Sequence, residues 1–589
     1  MQARTVPGAE AGGKGGSSPI DAFVDEKLRA RGLERNGEAS RRVLIRRAYY
    51  DLTGLPPTPE EVAAFERDLS PRAWENLVDR LLDSPRYGEK WGRHWLDLVR
   101  FAESNSYERD GAKPHTWRYR DYVIESFNAD KPYDRFVREQ LAGDELKDRD
   151  AAALVATGFY RLGIWDDEPA DRELAKFDSL DDLVTTTGQV FLGLTVDCAR
   201  CHHHKIDPIS QGDYYRLLSF FQNINPYKNG GMTDELELPG GGKALGVSES
   251  GVVPPETFVL LRGNPGLKGD RVEPGFLQVL GGTNVTISGV EPGAKTLGRR
   301  TVLADWVVSE QNPLTARVFV NRLWQYHFGR GIVRSPNNFG LQGDMPTHAE
   351  LLDWLAAELV RGGWRMKPMH RLIMNSAVYQ MASSSNERMA KVDPGNDLLW
   401  RFEPRRLEAE EIRDSILAIN GTLNLRMGGP GVYVDIPKEV MAGQSVPGQG
   451  WGTSTEAEKA RRSVYIFVKR SLLTPILESF DLAETDRSAP VRFVTVQPTQ
   501  ALGMLNGAFL NRQAVLFADR LTREPGVGHE AKVRRALQLV TGREPSTVEV
   551  QRGVDLITAL RTRDGMGDRA ALEALCLMIL NLNEMIYVD

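Results

Sequence analysis

Apolar residues recur at helical spacing through most of the chain. Ile20, Phe23, Val24 and Leu28 form one stripe, and Trp74, Leu77, Val78, Leu81 and Leu82 follow the i, i+3, i+4, i+7, i+8 pattern of a core-facing helix. Helix starts are marked as clearly. Ser18-Pro19 is a cap followed by a first-turn proline, Thr58-Pro59-Glu60-Glu61 is a capping box, and Ser70-Pro71 and Ser84-Pro85 open two further helices. The first 220 or so residues therefore read as mostly helical. Between Tyr227 and about Gly298 the pattern gives way to Gly, Pro and β-branched residues, with Thr257-Phe-Val-Leu-Leu261 and Asn284-Val-Thr-Ile-Ser288 as short strand candidates. Beyond Thr301 the helical period returns, interrupted by a strand candidate at Ser463-Val-Tyr-Ile-Phe-Val-Lys469.

The expected architecture is mainly α. Residues 1–17 form a disordered Gly-rich tail, 18–226 and 300–589 two helical domains, and 227–299 a Gly/Pro-rich connector with short strands. A length of 589 residues agrees with more than one core. The net charge of −6, with Lys and Arg interspersed among Asp and Glu, offers no basic field, so no nucleic-acid partner is expected. No stretch approaches the ~18 to 20 consecutive apolar residues of a membrane span. The segment before Pro19 also lacks the apolar core of a signal peptide.

Two of the three cysteines and three of the nine histidines fall in Cys198-Ala-Arg-Cys201-His202-His203-His204-Lys205-Ile206-Asp207-Pro208. C-x-x-C-H is the attachment pattern of c-type haem. Thiols at Cys198 and Cys201 would form thioethers to the porphyrin, and the imidazole of His202 would ligate the iron. A second axial ligand would come from elsewhere, with His94, His115 and Met504 as candidates. An alternative set of Cys198, Cys201, His202, His204 and Asp207 could hold zinc or another divalent metal in a hydrolase or structural site. A third reading makes the cysteines structural, in a non-enzymatic surface or assembly module. Cys576, inside an apolar run, reads as a buried thiol.

A second polar concentration begins at Arg93-His94-Trp95-Leu96-Asp97. His94 and Asp97 share a helical face with Arg100 at its edge, which suits either a cleft beside the Cys/His motif or an ion-pair network tying helices together. The charged runs around Asn321 to Arg330 and Arg405 to Asp414 suggest solvated or salt-bridged helix faces. There is no P-loop, no Gly-x-Ser-x-Gly elbow and no His-Glu-x-x-His.

Taken in order, Asp51-Leu-Thr-Gly-Leu-Pro-Pro-Thr-Pro59, Arg93-His-Trp-Leu-Asp97, Trp117-Arg-Tyr-Arg-Asp-Tyr-Val123, Lys131-Pro-Tyr-Asp-Arg-Phe136 and the Cys198 to Ser210 segment resemble the first domain of the planctomycete cytochrome-type proteins. Asn312-Pro-Leu-Thr-Ala-Arg317, Asn321-Arg-Leu-Trp324, His327-Phe-Gly-Arg-Gly331, Leu351-Leu-Asp-Trp354, Arg405-Arg-Leu407 and Leu580-Asn-Leu-Asn-Glu584 resemble the planctomycete-specific domain that follows it. Both are domains of unknown function. The resemblance runs from about residue 18 to the end. It implies a c-type haem protein for extracytoplasmic electron transfer, part of an oxidoreductase system with a redox partner protein. Members typically carry a secretion signal, and often a separate cytochrome domain ahead of the segment that begins here near Ile20, so this chain is expected to be a fragment. Similar proteins commonly carry an acidic residue where this chain has His203.

Overall fold

A computed structural model describes residues 18–107, 109–224, 227–228, 231–232, 234–282, 296–444 and 446–589, with positions 6, 285 and 287. Apart from position 6, the expected tail lies outside the described residues, as does most of the strand candidate at 284–288. The fold is mainly α. Its strands make only two-stranded sheets among the described residues.

The helix starts follow the local chemistry. The Ser18 hydroxyl accepts from the Ile20 amide ahead of the Pro19–Ala30 helix, and Thr58 and Glu61 form the reciprocal capping box of Pro59–Arg67. The Thr257 strand candidate also forms: Thr257–Leu260 pairs antiparallel with Lys268–Val272. The candidate at 463–469 does not become a strand. Ser463–Tyr465 is a short 3-10 turn, and the extended segment after it pairs only at isolated bridges, one of them Val432 to Ile466. Residues 463–467 are buried in succession, whereas a half-buried strand alternates.

Two apolar cores hold the chain. One runs from Ile20 to Tyr465 and draws on both sides of the Gly/Pro-rich connector, with the Arg86–Leu98 helix and Trp91 and Trp95 deep inside. The other packs residues from Leu407 to Val588 around the Ala409–Ile419 and Asp568–Leu580 helices. Tyr50 carries the amino-terminal part into this second core, its hydroxyl 3.1 Å from Ser415 Oγ. Arg405 and Arg406 pair with Val588 and Tyr587, and Arg47 donates to the Asp589 carbonyl at 2.8 Å. No described helix is long and apolar enough to cross a membrane.

Candidate functional site

The Cys/His motif sits on a loop fixed at both ends. The Arg172–Thr187 helix passes into a π-turn, Gly188–Leu192, that closes at Gly193 with φ +61°. A side chain at Gly193 would press on Val318 and the Phe339 ring at 2.8 and 2.9 Å, so the tight exit requires glycine. A short 3-10 turn, Asp197–Arg200, then presents the cysteines, and the Ser210/Asp213 capping box starts the Gln211–Leu218 helix. Arg200 braces the turn against Asp178 at 2.7 Å and Asp181 at 3.2 Å, while its carbonyl accepts from Gln211 Nε2 and the Tyr215 hydroxyl at 3.0 and 2.9 Å. On the other side, Cys201 Sγ lies against Gly263, leaving no room there for a Cβ.

Cys198, Cys201, His202 and His203 are exposed, and both thiols are free. Partial desolvation and the carboxylates of Asp197 and Asp207 push the Cys198 thiol above its ordinary value. His204 and Asp207 are buried beneath them. Hydrogen bonding separates the three successive imidazoles. His204 Nδ1 accepts from the amides of Asp207 at 2.7 Å and Ile206 at 3.3 Å, and His203 Nδ1 accepts from the Gln211 amide at 3.0 Å. The single Nδ1 lone pair of each ring is thus engaged, and in the neutral rings Nε2 carries the proton. His202 is the reverse: its Nδ1 is 2.6 Å from the His203 carbonyl oxygen, which can only accept. That bond protonates Nδ1 and leaves the Nε2 lone pair of His202 free at the surface.

Asp207 is tied to a neighbouring loop. Its Oδ1 accepts from the Leu341 amide at 2.6 Å, and its Oδ2 stands 3.7 Å from His204 Nε2 without a hydrogen bond. The alternative metal set is therefore split between three exposed side chains and two buried ones engaged with the fold. Among the described residues no three His, Cys, Asp or Glu side chains gather as a metal-ligating group.

The other expected pocket and ligand residues lie in four places. His94 is buried, stacked on Tyr326 with ring centroids 3.7 Å apart, and neither ring nitrogen has a hydrogen-bond partner. Burial, reinforced by Lys90 and Arg492, drives its pKa well below the ordinary value. Asp97, one turn on, joins Arg93 at 2.6 Å and Arg492 at 2.7 Å, and both arginines also reach Glu410. Lys90 bridges Glu408 and Glu411 at 2.8 and 3.0 Å, and Arg405 joins Glu411 to Asp51. This is a buried ion-pair network joining the Arg86–Leu98 and Ala409–Ile419 helices. Arg100 departs from it with φ +53° and pairs with Asp182 at 2.8 Å. His115, also at positive φ, is partly exposed 3.9 Å from Glu235, and Met504 is buried in the second core.

Sequence reasoning missed a buried polar chain on the far side of Trp91. His327 Nε2 is 2.9 Å from His370 Nδ1, and His370 Nε2 is 3.0 Å from the Tyr87 hydroxyl. His327 Nδ1 faces Asp51 Oδ2 at 3.7 Å, and Asp51 also accepts from Tyr379 at 2.7 Å and pairs with Arg405 at 2.9 Å. Burial works against the Asp51 charge, but His327, Arg405 and Tyr379 hold its pKa down to about 2. The lowest-energy order of protons runs from Tyr87 through His370 and His327 toward that carboxylate, since the opposite order would set a bare Nδ1 lone pair against it. The signal available in the sequence was His327 on a helix, Thr315–Phe328, that is buried almost all round. Its partners are scattered from position 51 to 379.

Two family models match the chain. One, PSCyt2, described as a protein of unknown function (DUF1549), covers residues 19–226, and the other, PSD1, a protein of unknown function (DUF1553), covers residues 299–557. No curated protein and no solved structure matches.

Proposed function

The chain belongs to the proteins of unknown function in which a PSCyt2 domain precedes a PSD1 domain, and from that premise we propose that it carries haem c covalently at Cys198 and Cys201, for electron transfer outside the cytoplasm. The observation that supports this most is the hydrogen bonding of the three imidazoles. Of His202, His203 and His204, only His202 has its Nδ1 on a carbonyl and so keeps a free Nε2 lone pair, and it is the one that the C-x-x-C-H order assigns to the iron. A backbone carbonyl on Nδ1 is the usual device for orienting a ligating imidazole and raising its basicity. The two thiols are free and exposed, as attachment requires.

Within this reading Cys198 and Cys201 would hold the haem covalently and His202 would ligate its iron. Haem would supply one-electron exchange with a redox partner protein. His204 and Asp207 act as positioning residues: they fold the loop under the motif, and Asp207 ties it to the Leu341 amide. The split between exposed and buried members leaves the non-haem metal set with less support.

The test is a pyridine haemochrome spectrum of the chain secreted through a host competent in cytochrome c maturation. Covalent haem is expected in the wild type, none in Cys198→Ala/Cys201→Ala, and attached haem of altered spin state in His202→Ala. A wild-type chain that emerges with no covalent haem sinks the proposal.

A further inference from the structure

A cavity of about 390 Å³ lies between the Arg41–Thr53 helix and the segment 583–589, within the ~300 to 1,000 Å³ span of small-molecule sites. Arg42, Val43 and Arg46 line it from the helix, and Tyr587 and Asp589 from the segment. Both walls are fixed. Arg405 and Arg406 pair in register with Val588 and Tyr587, and Arg47 Nε donates to the Asp589 carbonyl at 2.8 Å. A ligand would therefore meet a site already formed, without the cost of ordering it.

Arg41, Arg42, Arg46 and Arg47 crowd the first half of this helix, and no acid stands in its first turn. Cations near a helix N-terminus oppose the macrodipole, and like charges four apart repel, so the arrangement does not serve the helix itself. Two of the arginines serve the fold. Arg41 donates to the Phe65 and Asp68 carbonyls at 2.7 and 2.6 Å, and Arg47 is buried on the carbonyls of Tyr379, Met381 and Asp589. The other two line the cavity. Arg46 reaches the Glu584 carbonyl and packs over the Tyr50 ring at 4.9 Å, while Arg42 has neither a hydrogen bond nor an ion pair among the described residues.

The acids divide in the same way. Arg543 donates to both carboxylate oxygens of Glu584 at 3.0 and 3.1 Å and also to Glu549 at 2.8 Å, so the charge of Glu584 is engaged. The Asp589 carboxylate has no ion pair among the described residues. Arg42 and Asp589 thus line one cavity with opposite charges and do not meet each other. Such a lining complements a ligand that carries both charges, and a guanidinium fork matches a carboxylate. Val43, Pro404 and the exposed Tyr587 ring add apolar surface to the same cavity. We propose that this cavity binds a zwitterion with an apolar body, a free amino acid, its carboxylate on Arg42 and Arg46 and its ammonium on Asp589. No residue of the Cys/His motif lines the site, and its occupation does not depend on haem.

The experiment is isothermal titration calorimetry of the full chain with L-phenylalanine and L-leucine, both of which should bind at one saturable site. N-acetyl-L-phenylalanine lacks the ammonium and L-phenylalaninamide the carboxylate. Each should bind about tenfold more weakly, because each leaves one charged partner unsatisfied. Arg42→Gln should weaken L-phenylalanine by a similar factor and leave L-phenylalaninamide unchanged, and Asp589→Asn should weaken it and leave N-acetyl-L-phenylalanine unchanged. Neither side chain is bonded within the fold, so both variants should keep the wild-type urea midpoint. Absence of saturable binding by either amino acid would overturn the proposal. So would N-acetyl-L-phenylalanine binding as tightly as L-phenylalanine, which would make this a simple anion site, or amino-acid binding that both variants leave intact, which would place it elsewhere.

Discussion

Arg492 places its Nε 2.7 Å from Asp97 Oδ2, across 395 positions of sequence. The same guanidinium reaches Glu410, and Arg93 meets both carboxylates from the other side, so two cations and two anions balance in a buried square. Removing one member leaves an uncompensated charge, which typically costs 3 to 5 kcal/mol, more than the pair itself contributes. Arg492→Met should therefore lower the urea midpoint of the first unfolding transition strongly. Arg492→Met/Asp97→Asn should recover much of the loss by removing the surplus negative charge. A single variant within about 0.5 kcal/mol of wild type would show that water reaches this square.

The brace beneath the motif depends on a missing side chain. A Cβ at Gly340 would lie 2.6 Å from Asp207 Oδ1, the atom that receives the Leu341 amide. Gly340→Ala should push the carboxylate aside and cost about 1 to 3 kcal/mol in unfolding free energy, and Asp207→Ala, which strands the amide, a similar amount. Combining the two should cost less than their sum, because the alanine at 207 removes the clash. Strict additivity in a double-mutant cycle would refute this local account.

What could be read from the sequence was local. Caps, helix stripes and the C-x-x-C-H order involve residues within one or two turns of each other, and Thr58 with Glu61 is such a pair. The strand candidate at 463–469 misled because β-branched and aromatic residues also suit a segment buried on all sides, as Val464 and Tyr465 are. The Asp51, His327, His370 and Tyr87 chain has no local signature at all. Each member follows an ordinary helical pattern, and only tertiary packing around Trp91 makes them neighbours. For the same reason, the sequence could group His94, Asp97 and Arg100 but not reveal that Arg100 leaves the helix and turns to Asp182. The different hydrogen bonding of His202, His203 and His204 was equally hidden, since it depends on the Gln211 amide and the turn at Asp207.

The cysteines should divide by reactivity. Cys198 and Cys201 are exposed, whereas Cys576 is fully buried in the Asp568–Leu580 helix, where burial raises its thiol pKa. With haem-free reduced protein at neutral pH, Ellman's reagent should titrate two thiols, the third appearing only in denaturant. Cys198→Ala should remove one from the accessible pair. Three accessible thiols in the folded chain would contradict the packing of the second core.

Acid sensitivity follows from histidines that the fold keeps neutral. Burial drives His94 and His370 well below their ordinary value, with Lys90 and His327 as the next contributors, and burial beside Lys27 pushes His348 down to about 3. Each depressed group contributes stability that is complete above the unfolded value near 6.5 and declines as pH falls toward the folded value, because the unfolded chain takes up protons first. Glu103 works in the opposite sense: burial pushes it up to about 7, so its contribution is lost as pH rises from 4.5 toward that value. Glu125, Glu145 and Asp181 are raised in the same sense by burial and work with Glu103 against the histidines. His348→Gln isolates one term: its slope of stability against pH, measured by urea unfolding below pH 6, should be lower than wild type by about 1.4 kcal/mol per pH unit. Parallel slopes for the two proteins would mean that His348 is protonated in the folded chain, against its burial at 1% exposure.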